Sequence, residues 1–359
     1  MQRRTWLKGA AAGTAAAIAM PAVARAQIRW NMTMPWPRKT PGLGTNAERF
    51  VERVRRMSDG RLEIRLFAAG ELVPPFEGLD AVQSGTADIA HGTPYFWVGK
   101  STALNYFTGM PFGLTAVELA AWFYFGDGMK LWREVYADFD VVPFYAGSSG
   151  LQAGGWFRRE INSVDDFRGL KFRIAGLAGE VLKRLGATTV LLPPGEIAPA
   201  LMSGAVDAAE WVGPWSDLAF GLYKVAKYYY VPGFGEPGPG LEIIVNRRRW
   251  EELPDDLRAI IETAASATAN ETYADFHFHN VQAFRPLIAE HGVELRTFPD
   301  DVWMALGRTT LEVFEEVAAS DALSKKVHAS FMDFLRKADD YASAFDARFL
   351  AMRHRVLAA

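Results

Sequence analysis

Ala81-Val82-Gln83-Ser84-Gly85-Thr86-Ala87-Asp88-Ile89-Ala90 and Ala200-Leu201-Met202-Ser203-Gly204-Ala205-Val206-Asp207-Ala208-Ala209 share one pattern. Each reads as a helix end, a Ser-Gly turn and a short apolar strand. Gly85 and Gly204 suit the left-handed conformation that closes a helix. Ser-Gly-x-x-Asp is also a common helix-to-strand joint, and that plain reading stands beside a second: two similar lobes with one copy in each. On the second reading both strands end at a shared cleft, because open α/β sheets take ligands at the carboxyl ends of their strands. Thr93-Pro94-Tyr95-Phe96-Trp97 follows the first copy, and Glu210-Trp211-Val212-Gly213-Pro214-Trp215 follows the second. Both are aromatic with proline, and both would face that cleft.

Outward from the first copy, strand and helix alternate. Ile28–Thr33 alternates as a strand, and Asn46–Met57 reads as a helix with Phe50, Val54 and Met57 along one face. Asp59-Gly60 turns the chain into a strand over Leu62–Phe67. Phe76–Ser84 is a helix that Gly85 ends, and Ala87–Gly92 returns as a strand. Units of this kind predict parallel or mixed sheets covered by helices. The length exceeds what one core usually takes, so two lobes are expected.

The second lobe begins near Gly147. Gly147-Ser148-Ser149-Gly150-Leu151-Gln152-Ala153-Gly154-Gly155-Trp156-Phe157 mixes small residues with an amide and two aromatics, and small residues let backbone approach a ligand. Ser149 lacks a nucleophile elbow, since Leu151 stands where the second glycine belongs. Ser163–Gly169 is a turn, Leu170–Ile174 a strand, and Gly176–Gly179 opens a helix over Glu180–Leu185. Arg173 therefore sits at a strand end beside a helix start. A guanidinium there can give a carboxylate two parallel hydrogen bonds, and the helix start adds free N–H groups. Alternation puts Lys171 and Arg173 on one face, so periodicity leaves open an exposed or Asp-paired arginine. The glycines do not form G-x-G-x-x-G, which argues against a dinucleotide site.

Composition narrows the classes. There is no cysteine, which excludes disulfides, thiol nucleophiles and thiolate metal sites. A formal net charge of −3 gives no reason to expect nucleic acid. Residues 1–26 read as a targeting leader: Arg3-Arg4-Thr5-Trp6-Leu7-Lys8 is close to a twin-arginine signal, Gly9–Met20 is apolar and small, and Ala24-Arg25-Ala26 offers a cleavage site. An uncleaved anchor is the alternative. His277 and His279 fall in a helix expected from Asp255 to about His291, and residues two apart on a helix do not share a metal. Val327, Phe331, Phe334, Ala338, Tyr341, Phe345, Phe349 and Met352 recur every three or four residues, a continuous helical stripe.

Gly147–Phe157, Asp165–Gly176, Ala200–Trp215 and Tyr228–Gly240 together resemble the solute receptors of TRAP transporters, the DctP family. Gln152, Glu210-Trp211 and the Tyr228-Tyr229-Tyr230-x-Pro-Gly run resemble its TakP-like branch, which binds 2-oxo or 2-hydroxy acids with a cation. The resemblance implies an α/β, two-lobed periplasmic-binding-protein fold with mixed sheets, hinge-crossing segments and a long C-terminal helix. It implies residues 1–26 as the leader, 27–147 as the first segment of lobe I and 148–236 as that of lobe II. Residues 237–280 return to lobe I, 281–326 form lobe II and hinge, and 327–359 form a C-terminal helix suited to a homodimer. Carried over residue by residue, it makes Arg173 the carboxylate clamp. Gln152 and Glu210 would give side-chain oxygens to Ca²⁺ or Na⁺, Trp211 its carbonyl, and Glu236 a further ligand. Tyr95, Phe96 and Trp156 would line the pocket. Hard oxygen donors of this kind suit such a cation. Phe234-Gly235 stands where a bulkier aromatic pair is expected, and Trp215 where a smaller group is expected, which leaves the acid's size open. The implied protein is a periplasmic receptor without chemistry of its own, passing a small organic carboxylate to TRAP membrane subunits. A receptor feeding a sensor and an exported metal-dependent hydrolase are the rivals.

Overall fold

The computed structural model describes residues 27–359; the leader, Arg3-Arg4 and the Ala24–Ala26 cleavage site lie outside the described residues. The strands are β1 (Ile28–Thr33), β2 (Leu62–Phe67), β3 (Ile89–Gly92), β4 (Val141–Ser148), β5 (Gly155–Phe157), β6 (Lys171–Arg173), β7 (Thr188–Val190), β8 (Ala208–Ala209), β9 (Tyr228–Tyr230), β10 (Gly240–Asn246) and β11 (Glu294–Arg296). They form two mixed sheets, ordered β2-β1-β3-β10-β4 and β11-β9-β5-β8-β6-β7. Each sheet is the body of one lobe. β4 is buried along its whole length, as its nearly continuous apolar sequence requires.

The repeated Ser-Gly-x-x-Asp segments do the same job in each sheet. Gly85 and Gly204 end their helices with φ of 77° and 76°. Asp88 then bonds β1 twice: its N–H donates to the Asn31 carbonyl at 3.0 Å, and its carboxylate accepts from the Asn31 N–H at 2.8 Å. Asp207 repeats this against β6, with 2.7 Å to the Lys171 carbonyl and 3.0 Å from the Lys171 N–H. In both lobes the strand so fixed runs parallel to its neighbour. The motif is one unit used twice, rather than a chance joint.

The chain leaves the first sheet after β4 and returns through Val231–Pro239 into β10. Helix Asp255–His291 then packs against β4, helix Gly44–Met57 and helix Pro214–Phe220, so it touches both lobes. Gly147, where the chain begins to leave, has φ 140°, and a Cβ there would lie 2.9 Å from Thr272 of that long helix. Side chain and backbone conformation both require glycine at this point.

Several boundaries differ from expectation. The first helix begins at Gly44, two residues early, because Gly44 and Thr45 donate their N–H groups to the Thr40 carbonyl. Met57 is 42% exposed, because it lies in the last turn beyond the buried stripe of Phe50 and Val54. Phe76 precedes its helix, which starts at Gly78, and packs on Phe96. The C-terminal stripe is not one helix. It breaks at Phe345 into Ala322–Ala344 and Asp346–Leu357. Val327, Phe331 and Ala338 are buried, whereas Tyr341, Phe345, Phe349 and Met352 are exposed.

Candidate binding site between the lobes

β6 and β8 run parallel and end side by side, and their ends supply the two charged groups of the site. Lys171, at the outer end of β6, is exposed, while Arg173, at its carboxyl end, is 2% exposed. The short strand, and not its alternation, separates them: one end reaches solvent and the other the space between lobes. The Glu210 N–H donates to the Arg173 carbonyl at 2.9 Å, extending the ladder one step past β8. The guanidinium returns to the same residue. Its Nη1 lies 2.5 Å from the Glu210 carbonyl and 3.2 Å from Glu210 Oε2. Nε and Nη2 both donate to the Leu192 carbonyl at 3.3 Å, and the group stands 5.6 Å from the centre of the Trp211 ring. Arginine has five N–H donors. Four are therefore engaged, and one Nη2 N–H is unassigned.

Gln152 follows the crossing from β4. Its N–H donates to the Glu236 carbonyl at 3.1 Å, and its carbonyl accepts from Gly233 at 2.9 Å, so it pins the returning segment. Its amide nitrogen donates to Ser149 Oγ at 2.9 Å. That leaves Gln152 Oε1 buried without a partner, and Glu210 Oε1 is buried without one as well. Buried acceptors of this kind are rare and need a donor or a cation.

Arg173, Gln152, Tyr95, Phe96, Trp211 and Glu236 line one cavity, together with Trp36, Leu43, Ser149 and Leu241 among others. The cavity is narrow, in keeping with a ligand of few atoms. Burial pushes the Glu236 carboxyl up to about 7, against the pull of Arg173 and of a hydrogen bond from Tyr95. Burial also raises Glu210 well above the usual range; the Glu236 charge adds to this and Arg173 opposes it. Two buried carboxyl groups thus face one guanidinium, and ionising both would leave the site with more negative than positive charge, which is why they hold their protons. Among the described residues no cluster of three His, Cys, Asp or Glu can hold a metal. A cation here needs amide, backbone and ligand oxygens besides the two glutamates, which is the donor set of a hard ion. The residues present fit such an ion.

Trp156 does not line this cavity. It is fully buried, stacks on Tyr229 at 4.2 Å and donates its indole N–H to Asp217 at 2.9 Å. Its ring lies in the body of its lobe, where Tyr229 and Asp217 hold it. Trp36 was missed by the sequence reading and does line it; its signal was Pro35-Trp36-Pro37, an aromatic between prolines just past β1. Its indole N–H donates to His91 Nδ1 at 2.9 Å, and His91 Nε2 meets Asn46 Oδ1 at 2.9 Å. Burial lowers His91 to about 3, so the ring is neutral and serves as a fixed link. His279 stacks on Trp215 and pairs with Asp275, which accounts for it without a metal.

Residues 32–321 match the family described as bacterial extracellular solute-binding protein, family 7. The chain belongs to that family. A monocarboxylate 2-oxoacid-binding periplasmic protein of Nostoc sp. is 44% identical to this family 7 chain over 311 residues, 86% of this chain and 85% of its own length. A TRAP transporter solute-binding protein from Bordetella bronchiseptica, solved as a mixed-occupancy dimer with copurified calcium and picolinate, superposes with a TM-score of 0.90 at 35% identity. The match covers 93% of this chain and 99% of that one. A TRAP periplasmic solute-binding protein from Pseudoalteromonas atlantica, with sodium and pyruvate, gives 0.88 at 37% identity over 90% and 99%. These likenesses agree with the two-lobed architecture. No helix among the described residues is long and apolar enough to cross a membrane.

Proposed function

We propose that this family 7 chain is the periplasmic receptor of a TRAP transporter, capturing a pyruvate- or lactate-like 2-oxo or 2-hydroxy monocarboxylate together with Ca²⁺ or Na⁺. The observation that carries this is the pair of orphaned buried oxygens: Gln152 Oε1, of the cavity lining, and Glu210 Oε1, whose carboxylate is not part of that lining but pairs with Arg173, which is. Gln152 Oε1, Glu210 Oε1, Glu236 and the Trp211 carbonyl would hold the ion, and the acid's carboxylate and 2-oxygen would supply its remaining ligands. Arg173 takes the acid's carboxylate. One Nη2 N–H is unassigned, and a second donor would be freed if Glu210 Oε2 turned from Nη1. Formal charge favours a divalent ion. Two glutamates and the acid against one arginine leave an excess of two negative charges, and Ca²⁺ cancels it. Na⁺ would leave one glutamate protonated. The Nostoc relative's 2-oxoacid binding and the ions and acids of the solved neighbours support the same reading.

The twin-arginine pattern of the leader gives the route to the periplasm. The exposed Tyr341, Phe345, Phe349 and Met352 give a homodimer contact, in keeping with the dimer formed by the Bordetella neighbour. Lobe closure traps the acid, and the closed form docks onto the TRAP membrane subunits.

A thermal-shift panel tests the function: pyruvate, lactate, longer 2-oxo acids and dicarboxylates, each with Ca²⁺ or with chelator. A ligand at a hundred times its Kd stabilises the folded state by about 2.7 kcal/mol. Pyruvate or lactate should shift unfolding strongly with Ca²⁺ and weakly with chelator. A shift indifferent to the ion, or seen only with dicarboxylates, refutes the reading.

A further inference from the structure

Two carboxylates outside the cavity have matching surroundings, one in each lobe. Glu242 of β10 is fully buried; its Oε1 accepts the Trp97 indole N–H and its Oε2 the Tyr136 hydroxyl, both at 2.7 Å. Asp217 is 1% exposed; its Oδ2 accepts the Trp156 indole N–H and the Tyr229 hydroxyl, both at 2.9 Å. Each carboxylate is therefore wrapped by one tryptophan and one tyrosine. Each also reaches the turn that follows its lobe's Ser-Gly-x-x-Asp unit. Trp97 ends the turn Pro94–Trp97, which carries Tyr95 and Phe96 into the cavity. The same turn is tied to β10 again by Thr93 Oγ1, which donates to the Gly240 carbonyl at 2.9 Å. In the other lobe Asp217 Oδ1 accepts the N–H groups of Val212 at 3.2 Å and Gly213 at 3.1 Å, directly after Trp211. Ser216 beside it takes the Trp211 indole N–H at 2.8 Å.

We propose that Glu242 and Asp217 are a matched pair of positioning residues, one per lobe, that fix the two ligand-facing turns so that Tyr95 and Phe96 on one side and Trp211 on the other meet the acid in register. The inference rests on the binding reading above and assigns it two groups that touch neither acid nor ion. The alternative is that both merely stabilise their lobes.

Hydrogen-bond chemistry separates the two accounts. An indole N–H and a backbone N–H can only donate, whereas a tyrosine hydroxyl can turn and accept. Glu242→Gln keeps a carbonyl for Trp97, and its amide donates to the Tyr136 oxygen, so the turn stays held. Glu242→Leu leaves the Trp97 N–H buried and unpaired. Asp217→Asn has no such escape. Either face of its amide nitrogen meets a donor-only group, Trp156 on one side or the Val212 and Gly213 backbone on the other.

The test is titration calorimetry of the mature protein with pyruvate in Ca²⁺, beside hydrogen exchange of the ligand-free protein. Glu242→Gln should bind within about threefold of the wild type. Glu242→Leu and Asp217→Asn should weaken binding about tenfold or more, the effect of one buried unpaired donor. Tyr136→Phe, which removes the donor remote from the turn, should lower the unfolding midpoint yet bind within about threefold. Exchange should rise over residues 95–97 in Glu242→Leu and over residues 212–213 in Asp217→Asn, and stay unchanged in Glu242→Gln. If Glu242→Leu does not fold, the contrast of Glu242→Gln with Asp217→Asn carries the test. Wild-type affinity in Glu242→Leu or Asp217→Asn, or equal losses in Glu242→Gln and Glu242→Leu, overturns the inference. A wild type that binds no acid refutes the binding reading instead, and the exchange pattern then decides for or against the positioning role.

Discussion

On the proposed reading Arg173 is the residue on which ligand capture depends, and a guanidinium is expensive to bury without an anion. Its neighbours give it two backbone carbonyls and one carboxylate oxygen. Arg173→Ala should abolish the thermal shift for every carboxylate, and Arg173→Lys should weaken it, since an ammonium lacks the planar fork. Gln152→Ala should remove Ca²⁺ dependence while changing the ligand-free unfolding midpoint by only a few degrees, because the side-chain bond lost, to Ser149 Oγ, is offset by removing an orphaned buried oxygen. Glu242 and Asp217 give a pH prediction. Burial raises them to about 7 and about 6 from 4.5 and 3.8. The folded protein therefore keeps protons that the unfolded chain has released. Stability should fall as pH rises from about 5 to 7, by up to about 1.4 kcal/mol per pH unit for each group while it lags. Unfolding midpoints in chelator across pH 5–8 check this, and Glu242→Gln should flatten the curve. In the sequence, Arg173 was legible as a candidate because a strand end, a glycine and a helix start surround it. Its burial was not, because alternation tied it to Lys171. Asp217 was invisible, since Trp156 and Tyr229 lie far from it in the chain.

Elements were most readable where glycine ends them. Gly85 and Gly204 closed their helices as expected, and the Asp three residues on turned out to staple parallel strands in both lobes. Helix starts were less readable, because the first one is set by the Thr40 carbonyl and not by any pattern within the helix. Gly147 belongs to this scale. Gly147→Ala forces a Cβ onto Thr272 at a left-handed φ and should cost at least about 2 kcal/mol, read by chemical denaturation. The stripe from Val327 to Met352 divides its work after Ala338: the first part packs on its own chain, and from Tyr341 on it is exposed. Removing residues after Ala338 should turn a dimer into a monomer in light scattering, with the fold retained. An unchanged mass would count against the homodimer.

At the scale of the whole molecule, two sheets meet through β4's exit, the Val231–Pro239 return and one long helix. Length and the repeated motif indicated two lobes, but the order of the sheets follows from crossings that no local pattern records. β10 joins the first sheet antiparallel after an excursion through the second. This path places Glu236 and Glu242 on one segment, the first at the cavity and the second under the turn that carries Tyr95. On the proposed reading, closing the lobes on an acid brings Glu236, Gln152 and Arg173 around it together. The direct test is a crystal structure of the mature protein with pyruvate and Ca²⁺, the ion located by anomalous scattering. The account predicts the carboxylate on the Arg173 guanidinium and the ion about 2.3–2.6 Å from the oxygens of Gln152, Glu210 and Glu236. An ion bound elsewhere, or a carboxylate that leaves Arg173 untouched, contradicts it.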